Sequence, residues 1–240
     1  MPVPLHCNSV YQLFYEDMDM VTPTNRSSAL PFFSVVLTSY NRAKLLKRAF
    51  RSLTQQTETD WEAVIIDDGS TDDSYNQLLP YLDIPNPLMY FKQASQGCAA
   101  SKNAGMFLST GRYITFLDSD DEYDPEHLAS RKKILLQNPQ VELLHGGITI
   151  VGSPFVPDRF NLQKMIHLQD CVIGGTFFIK RHLVNVLHGF EDIALGHDAD
   201  FMERATCQGA SILKTDLPTY IYHRETQNSI TNNLSTSQTI

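Results

Sequence analysis

Gly111-Arg112-Tyr113-Ile114-Thr115-Phe116-Leu117-Asp118-Ser119-Asp120-Asp121 changes character halfway along. Its apolar part, Tyr113 to Leu117, is rich in β-favouring residues and predicts a short buried strand. The strand runs into four residues of which three are acidic, and Asp124-Pro125 then opens a helix over Pro125 to Gln137. Asp118 and Asp120 are two apart, so extended backbone projects them to the same side. Carboxylates at the C-terminal end of a central strand lie where open α/β sheets bind their ligands. A pair of hard oxygen ligands suits Mg²⁺ or Mn²⁺ holding phosphate oxygens as well. On this stretch alone, a solvated turn or a helix cap is an equally open reading. An EF-hand is not, because Tyr123 stands where that loop needs glycine for its sharp turn.

The strand–helix unit recurs upstream. Phe32 to Thr38 reads as a buried parallel-type strand, broken by Ser39-Tyr40-Asn41. Ala43, Leu45, Leu46, Ala49, Phe50 and Leu53 then recur at helical spacing. Trp61 to Ile66 is a second strand ending in Asp67-Asp68-Gly69-Ser70, with Ser70 or Thr71 expected to cap a helix reaching about Leu82. Leu88 to Phe91 is a third strand, followed by Gly97 and a helix near Ala99 to Leu108. This alternation predicts a mostly parallel sheet with helices on both faces. Polar loops end three of its strands, at Thr38 to Asn41, Asp67 to Ser70 and Asp118 to Asp121, which together make a nucleotide-sized cleft.

The second half is less regular. Val141 to Val151 reads as one long strand, and Gly152 to Leu168 as an irregular, mobile loop. Val172 to Lys180 is a strand carrying Gly174-Gly175-Thr176, where backbone must approach something closely. Arg181 to Leu187 and Ala199 to Cys207 are helices, the latter closed by Gly209. Ser211 to Leu213 and Thr219 to Tyr222 are expected as edge strands. Residues 1–30 read as an extension with a short helix near Val10 to Tyr15, and are the expected contributor to any oligomer interface. Residues 227–240 read as a loose tail.

Bulk properties narrow the function. A net charge of −8 offers no basic surplus for broad nucleic-acid binding. The local run Arg42, Lys44, Lys47, Arg48 and Arg51 reads as the solvated face of a helix. Cys7, Cys98, Cys171 and Cys207 are dispersed without a C-x-x-C pair, which speaks against a zinc ribbon or a disulfide framework and for a reducing compartment. Met1 to Val10 shows no signal-peptide pattern and no apolar run approaches a membrane span. A cytoplasmic protein is the expectation, with peripheral contact at the inner face of the membrane left open. No phosphate-cradling G-x-x-x-x-G-K-[ST], dinucleotide glycine turn, G-x-S-x-G or H-E-x-x-H occurs. A nucleotide in this cleft would therefore be held through carboxylates and a metal.

These residues resemble the family-2 glycosyltransferases of the GT-A fold. The likeness runs over about Ser34 to Ile230. It is carried by Ser34 to Arg42, by Val64 to Asp72, by Gly97 with Ser101 to Gly105, and by the Asp-x-Asp of Asp118-Ser119-Asp120. The resemblance implies a single α/β GT-A domain over 31–226, with a mostly parallel central sheet and a smaller mixed sheet on the acceptor side. Residues 31–124 would be its nucleotide-sugar half and 125–226 its acceptor half. It implies inverting transfer of one sugar from a nucleotide-diphosphate sugar, UDP before GDP, to a hydroxyl of a saccharide or lipid-linked saccharide, as in polysaccharide biosynthesis. Thr38, Tyr40, Asn41, Asp67, Asp68, Lys102, Asp118, Ser119 and Asp120 would bind the donor. Asp118 and Asp120 would hold Mn²⁺ or Mg²⁺, with His223 a further metal or diphosphate ligand.

Asp198, in Gly196-His197-Asp198-Ala199-Asp200, would be the general base; Gly175, Thr176 and His197 would meet the acceptor. Asp121 is expected to cap the helix at Pro125. Two departures stand out: the family pattern usually has an acid where His197 stands, and Thr226 ends a segment where the family often has histidine. No Gln-x-x-Arg-Trp occurs, and the only tryptophan is Trp61, so a non-processive enzyme fits better than a polysaccharide synthase. The competing readings are a non-catalytic binding module on the same fold and a nucleotidyltransferase. The latter usually needs a Gly-rich, basic phosphate loop that Thr38 to Arg42 does not supply.

Overall fold

The computed structural model describes residues 19–21, 30–81, 84–193 and 195–225. In chain order the elements are β1 (Asp19–Val21), β2 (Phe33–Ser39), α1 (Ala43–Thr54), β3 (Trp61–Asp67), α2 (Ser74–Leu78), β4 (Leu88–Lys92) and α3 (Cys98–Leu108). Next come β5 (Tyr113–Asp118), β6 (Glu122–Tyr123), α4 (His127–Gln137), β7 (Leu143–His145), β8 (Ile148–Val151), β9 (Phe155–Pro157) and β10 (Met165–His167). The chain then forms β11 (Phe178–Lys180), α5 (Arg181–Leu187), α6 (His197–Cys207), β12 (Ile212–Lys214) and β13 (Tyr220–His223).

The large sheet has the order β1-β4-β3-β2-β5-β11-β7-β12. Strands β4, β3, β2 and β5 are parallel. β11 is antiparallel to both β5 and β7, β12 is parallel to β7, and β1 lies antiparallel on β4. Strand side chains alternate faces, and both faces here are covered. Val35, Leu37, Ala63 and Ile65 pack with Leu46, Phe50 and Leu53 of α1 and with Leu128 and Leu135 of α4. Val36, Val64, Ile66 and Phe116 pack on the other side with Ala99, Ala104 and Met106 of α3 and with Phe201 of α6. That double covering explains why the sequence of these strands is apolar at successive positions instead of alternating.

The strand order reverses between β2 and β5. From β2 the chain steps outward to β3 and β4, then returns to β5 on the opposite side of β2. The register sets Thr38 opposite both Ile66 and Asp118, and Ser39 opposite Asp67. The three polar strand ends therefore meet at one edge, at the point where α/β sheets open a crevice.

Several expectations are corrected. Val141–Val151 is not one strand: Gly146 (φ +92°) and Gly147 (φ +78°) turn the chain out of β7 into β8, which belongs to a separate sheet. That sheet has the order β6-β13-β8, so β13 is its centre and not an edge. It is mixed, β13 being antiparallel to β6 and parallel to β8. The segment 152–168 contains the hairpin β9–β10. Gly174–Thr176 forms a single 3₁₀ turn ahead of a short β11. The helix after β3 starts only at Ser74, whose N–H and hydroxyl donate to Asp72, so neither Ser70 nor Thr71 caps it. The helix expected at Val10 to Tyr15 and the tail from 227 lie outside the described residues. Among the described residues no helix is long and apolar enough to cross a membrane.

Candidate active site

A cleft of about 1560 Å³ opens at the strand-order reversal. Thr38, Tyr40, Asn41, Asp68, Lys102, Asp118, Asp120, His197, Asp198 and His223 line it. Its far wall is formed by the hairpin and the turn after it, including Val156, Phe160, Ile166 and Leu168.

The loop after β2 is fixed by its neighbours. Asn41 is left-handed (φ +51°), a conformation that asparagine tolerates better than most residues. Its N–H donates to Ser70 Oγ (2.8 Å) and its Oδ1 accepts from Thr71 N–H (2.8 Å). Ala43 N–H donates to Asp72 Oδ2 (2.9 Å), so the backbone on both sides of Arg42 is anchored. Tyr40 is 53% exposed and stands at the cleft wall.

The two acids after β3 do different work. Asp67 is buried outside the cleft lining; it accepts from Ser70 N–H (2.7 Å) and from the Tyr90 hydroxyl. Asp68 accepts from Gln93 Nε2 and Gln96 N–H on one oxygen and from Ser95 Oγ and Gly97 N–H on the other, all within 3.0 Å. It thereby fastens the loop that leads into α3 while facing the cleft. The expected donor contact of Asp67 is hard to reconcile with that burial.

Lys102 on α3 is buried with Nζ 3.2 Å from Asp118 Oδ1 and 5.5 Å from the centre of the Phe116 ring. Burial opposes its charge, but Asp118, with smaller help from Cys98 and Asp198, carries its pKa well above the ordinary lysine value. Asp120 Oδ2 is 2.7 Å from the Arg42 guanidinium. Burial raises the Asp120 pKa; Arg42 opposes that and Asp118 adds to it. Arg48 donates to the Asp120 carbonyl and lies 3.4 Å from Glu122. Ser119 is buried and lines no part of the cleft.

Asp121 does not cap the next helix. Its oxygens accept from the Tyr220 hydroxyl (2.7 Å) and His223 N–H (2.8 Å), tying the acidic turn to β13. Asp124 serves α4 instead, through its carbonyl to His127 N–H and its Oδ1 to Glu126 N–H. The His223 ring lies between Glu122 Oε2 (2.8 Å) and Glu225 Oε1 (3.1 Å), so its nitrogens face glutamates and not the Asp-x-Asp pair.

Across the cleft, α6 begins after left-handed Gly196 (φ +87°) and sets Asp198 in its first turn. Asp198 Oδ2 accepts from Gly174 N–H (3.0 Å), and its Oδ1 is 2.9 Å from His197 Nε2. The second contact is a charge pair in which neither atom has an aligned hydrogen-bond partner. His197 also stands edge-on to Phe190 at 5.4 Å. Burial would raise the Asp198 pKa, but Lys102 and then His197 outweigh it and hold the carboxyl well below its usual range. Burial lowers the imidazole pKa while Asp198 raises it, leaving His197 at about 9. Asp200 faces away, paired with Arg204 at 2.8 Å.

Close backbone approach holds at the Gly-Gly-Thr turn, with a shift in register. A Cβ at Gly174 would stand inside contact distance of the Asp198 carboxylate, and one at Gly175 would overlap the Tyr220 hydroxyl. Gly175 and Thr176 lie outside the cleft lining; Thr176 Oγ1 donates to Ile173 O (2.7 Å) and accepts from Gly146 N–H (3.0 Å). The position facing the acceptor side is Gly174. Sequence reasoning singled out neither Gly174 alone nor Arg42.

The donor set fits a hard divalent ion in part. Asp118 and Asp120 offer carboxylates, but among the described residues no group of three or more His, Cys, Asp or Glu side chains is arranged to hold a metal. Ligand oxygens would have to complete the coordination sphere.

Residues 34–152 match the family described as Glycosyl transferase family 2. The chain is 29% identical over 159 residues to the UDP-Glc:alpha-D-GlcNAc-diphosphoundecaprenol beta-1,3-glucosyltransferase WfgD of Escherichia coli, covering 63% of this chain and 61% of that one. It is 34% identical over 131 residues to an uncharacterized glycosyltransferase of Nostoc sp., covering 54% of this chain and 41% of the relative. The chain thus spans about half the length of the curated relatives it matches. Among solved structures, S. aureus TarS 1-349 in complex with UDP-GlcNAc superposes with a TM-score of 0.70 at 20% identity, over 82% of this chain and 60% of that one. The mannosyltransferase PcManGT from Pyrobaculum calidifontis, in complex with GDP-Man and Mn²⁺, superposes with a TM-score of 0.65 at 17% identity, over 91% of this chain and 63% of that one. At these identities the superpositions show a shared fold, the GT-A fold expected from the sequence.

Proposed function

We propose, from the match of residues 34–152 to glycosyl transferase family 2, that this chain is an inverting, metal-dependent glycosyltransferase. It moves one sugar from a nucleotide-diphosphate donor, UDP before GDP, to a hydroxyl of a saccharide or lipid-linked saccharide. The observation that supports this most is the register that brings Thr38, Asp67 and Asp118 to one sheet edge, with Asp198 across the same cleft. Residues 31–124 supply the donor side and 125–226 the acceptor side. A lipid-linked acceptor is favoured by the printed activity of WfgD and by the apolar far wall at Val156, Phe160, Ile166 and Leu168. Peripheral contact with the inner face of a membrane follows from that choice.

In the proposed reaction Asp198 takes the proton of the acceptor hydroxyl as its oxygen bonds to the anomeric carbon. The bond from that carbon to the diphosphate breaks on the opposite face, so configuration inverts. A divalent cation held by Asp118 and Asp120, Mg²⁺ or Mn²⁺, would stabilise charge on the departing diphosphate. Lys102, behind Asp118, adds fixed positive charge on the same side. Lys102 and His197 keep Asp198 ionised at neutral pH against the effect of burial, and Gly174 N–H fixes its orientation. The rival reading, a non-catalytic module, draws on the two cations that hold Asp198 to a weak base.

One titration tests the proposal. UDP is expected to bind about tenfold or more tightly with Mn²⁺ than with chelator in calorimetry, with donor hydrolysis appearing only in the metal-loaded sample. Metal-indifferent or absent binding of UDP and GDP, together with inertness across a donor panel, would sink it; binding without turnover would favour the module.

Gly174→Ala probes the base without touching a charge. Gly174 is not left-handed, so alanine suits its backbone, yet the new methyl must push Asp198 aside. Displacement by about 1 Å is expected to lower kcat about 100-fold, with the melting curve little changed. Wild-type kcat in a folded Gly174→Ala protein would contradict the role given to Asp198.

A further inference from the structure

Asp118 and Asp120 are already neutralised by the protein itself. Lys102 balances Asp118, and Arg42 balances Asp120. The two cations are not equivalent. Lys102 is 4% exposed, rooted in α3 and packed over Phe116. Both line the cleft, but the Arg42 side chain is 21% exposed and so the more accessible of the two. Its backbone is pinned on both sides, by Asn41 to Ser70 and by Ala43 to Asp72, so a long side chain pivots on a fixed point. The acidic turn does not depend on Arg42 for its shape. Arg48 holds the Asp120 carbonyl, and Asp121 holds β13.

We propose that Arg42 is a displaceable counter-cation: it holds Asp120 until a divalent ion takes that carboxylate, then turns to the diphosphate of the donor. This rests on the glycosyltransferase reading above. A guanidinium forms charge-assisted bonds with carboxylate and phosphate oxygens alike, so the same side chain serves both partners in turn. Charge balance gives the sequence of events its direction. A dication entering the neutralised Asp118–Asp120 site leaves Lys102 and Arg42 in surplus, and the diphosphate then makes up the deficit of negative charge. Metal and nucleotide consequently bind cooperatively, each weakly alone. Because coupling is reciprocal, Arg42 must lower the metal affinity of the nucleotide-free protein and raise the nucleotide affinity of the metal-loaded protein.

The test measures Mn²⁺ by electron paramagnetic resonance and UDP by calorimetry, on folded protein checked by circular dichroism. Without nucleotide, Arg42→Gln is expected to bind Mn²⁺ about tenfold more tightly than wild type; with Mn²⁺ saturating, its UDP affinity is expected to fall about tenfold. Arg42→Lys should lie between. In chelator, Asp120→Asn is expected to bind UDP about fivefold more tightly than wild type, because Arg42 is released to the diphosphate. The double variant Asp120→Asn/Arg42→Gln should lose that gain, which separates release of Arg42 from simple removal of a negative charge. Unchanged Mn²⁺ affinity in Arg42→Gln overturns the proposal while metal-dependent UDP binding by wild type keeps the enzyme reading. Tighter Mn²⁺ with unchanged UDP affinity overturns the transfer of Arg42 to the diphosphate. A wild type that binds no UDP in any metal state overturns both readings.

Discussion

Asp198→Asn is expected to lower kcat about 1000-fold and leave UDP affinity unchanged. Asparagine has nearly the same shape and still accepts from Gly174 N–H through its amide oxygen. What it loses is the charge that takes the acceptor proton. In wild type that charge is secure, since Lys102 and His197 overcome burial and hold the carboxyl well below its usual range. The acid limb of kcat/KM should accordingly not mark an ordinary aspartate.

The same substitution has a pH signature in stability. The folded pKa of His197 is about 9 against 6.5 for the unfolded chain, a raised value. Its ion pair therefore stabilises the fold fully below pH 6.5, and that contribution is lost as pH rises through about 9. Thermal melts of wild type should fall across that window by an amount on the order of 2 kcal/mol, and melts of Asp198→Asn should be flatter. Undiminished turnover by Asp198→Asn would dismiss it as the base. A matching loss of UDP affinity would mean that the variant disturbs the cleft more widely.

Gly147→Ala should be the most damaging single methyl in the protein. Gly147 is left-handed (φ +78°), and its absent Cβ would collide with the Leu217 carbonyl and crowd the Arg131 guanidinium. Backbone cannot yield there as a side-chain tip can. Arg131 is fully buried and donates to Gly146 O (3.1 Å) and Leu217 O (2.9 Å), joining the crossing between the two sheets. Burial brings its pKa down to about 10, only partly opposed by Tyr123, and its remaining hydrogen bond goes to the neutral Ser130 hydroxyl (3.2 Å). Strain plus a loosened buried cation amounts to about 3–5 kcal/mol. At this chain length that is a fall of roughly 10 °C in Tm. A calorimetric Tm within about 2 °C of wild type would show that the crossing is softer than described.

How much was legible beforehand follows from how local each signal is. Strands β2, β3 and β5 announce themselves because both sheet faces are covered, which makes them apolar over successive residues. The polar ends at Thr38, Asp67 and Asp118 were legible for the same reason. The break at Gly146-Gly147 was not, since the residues that force it, Leu217 and Arg131, are distant in sequence. Asp121 looked like a cap because Pro125 is near it; its actual partners, Tyr220 and His223, lie about a hundred residues on. Arg42 looked like one charge on a basic helix face, because an ion pair to Asp120 leaves no trace in spacing. Gly-Gly-Thr announced a close approach, and only the fold says that Gly174 faces Asp198 while Gly175 faces Tyr220.

The three-residue strand β1 has a consequence apart from catalysis. It pairs with Tyr90 to Lys92 of β4, a strand whose first four side chains are buried. Uncovered, that border would present a row of unsatisfied N–H and C=O groups beside apolar side chains, a template for pairing with a second molecule. Asp19–Val21 thus protects solubility, and a chain trimmed beyond Val21 would keep its cleft yet tend to aggregate.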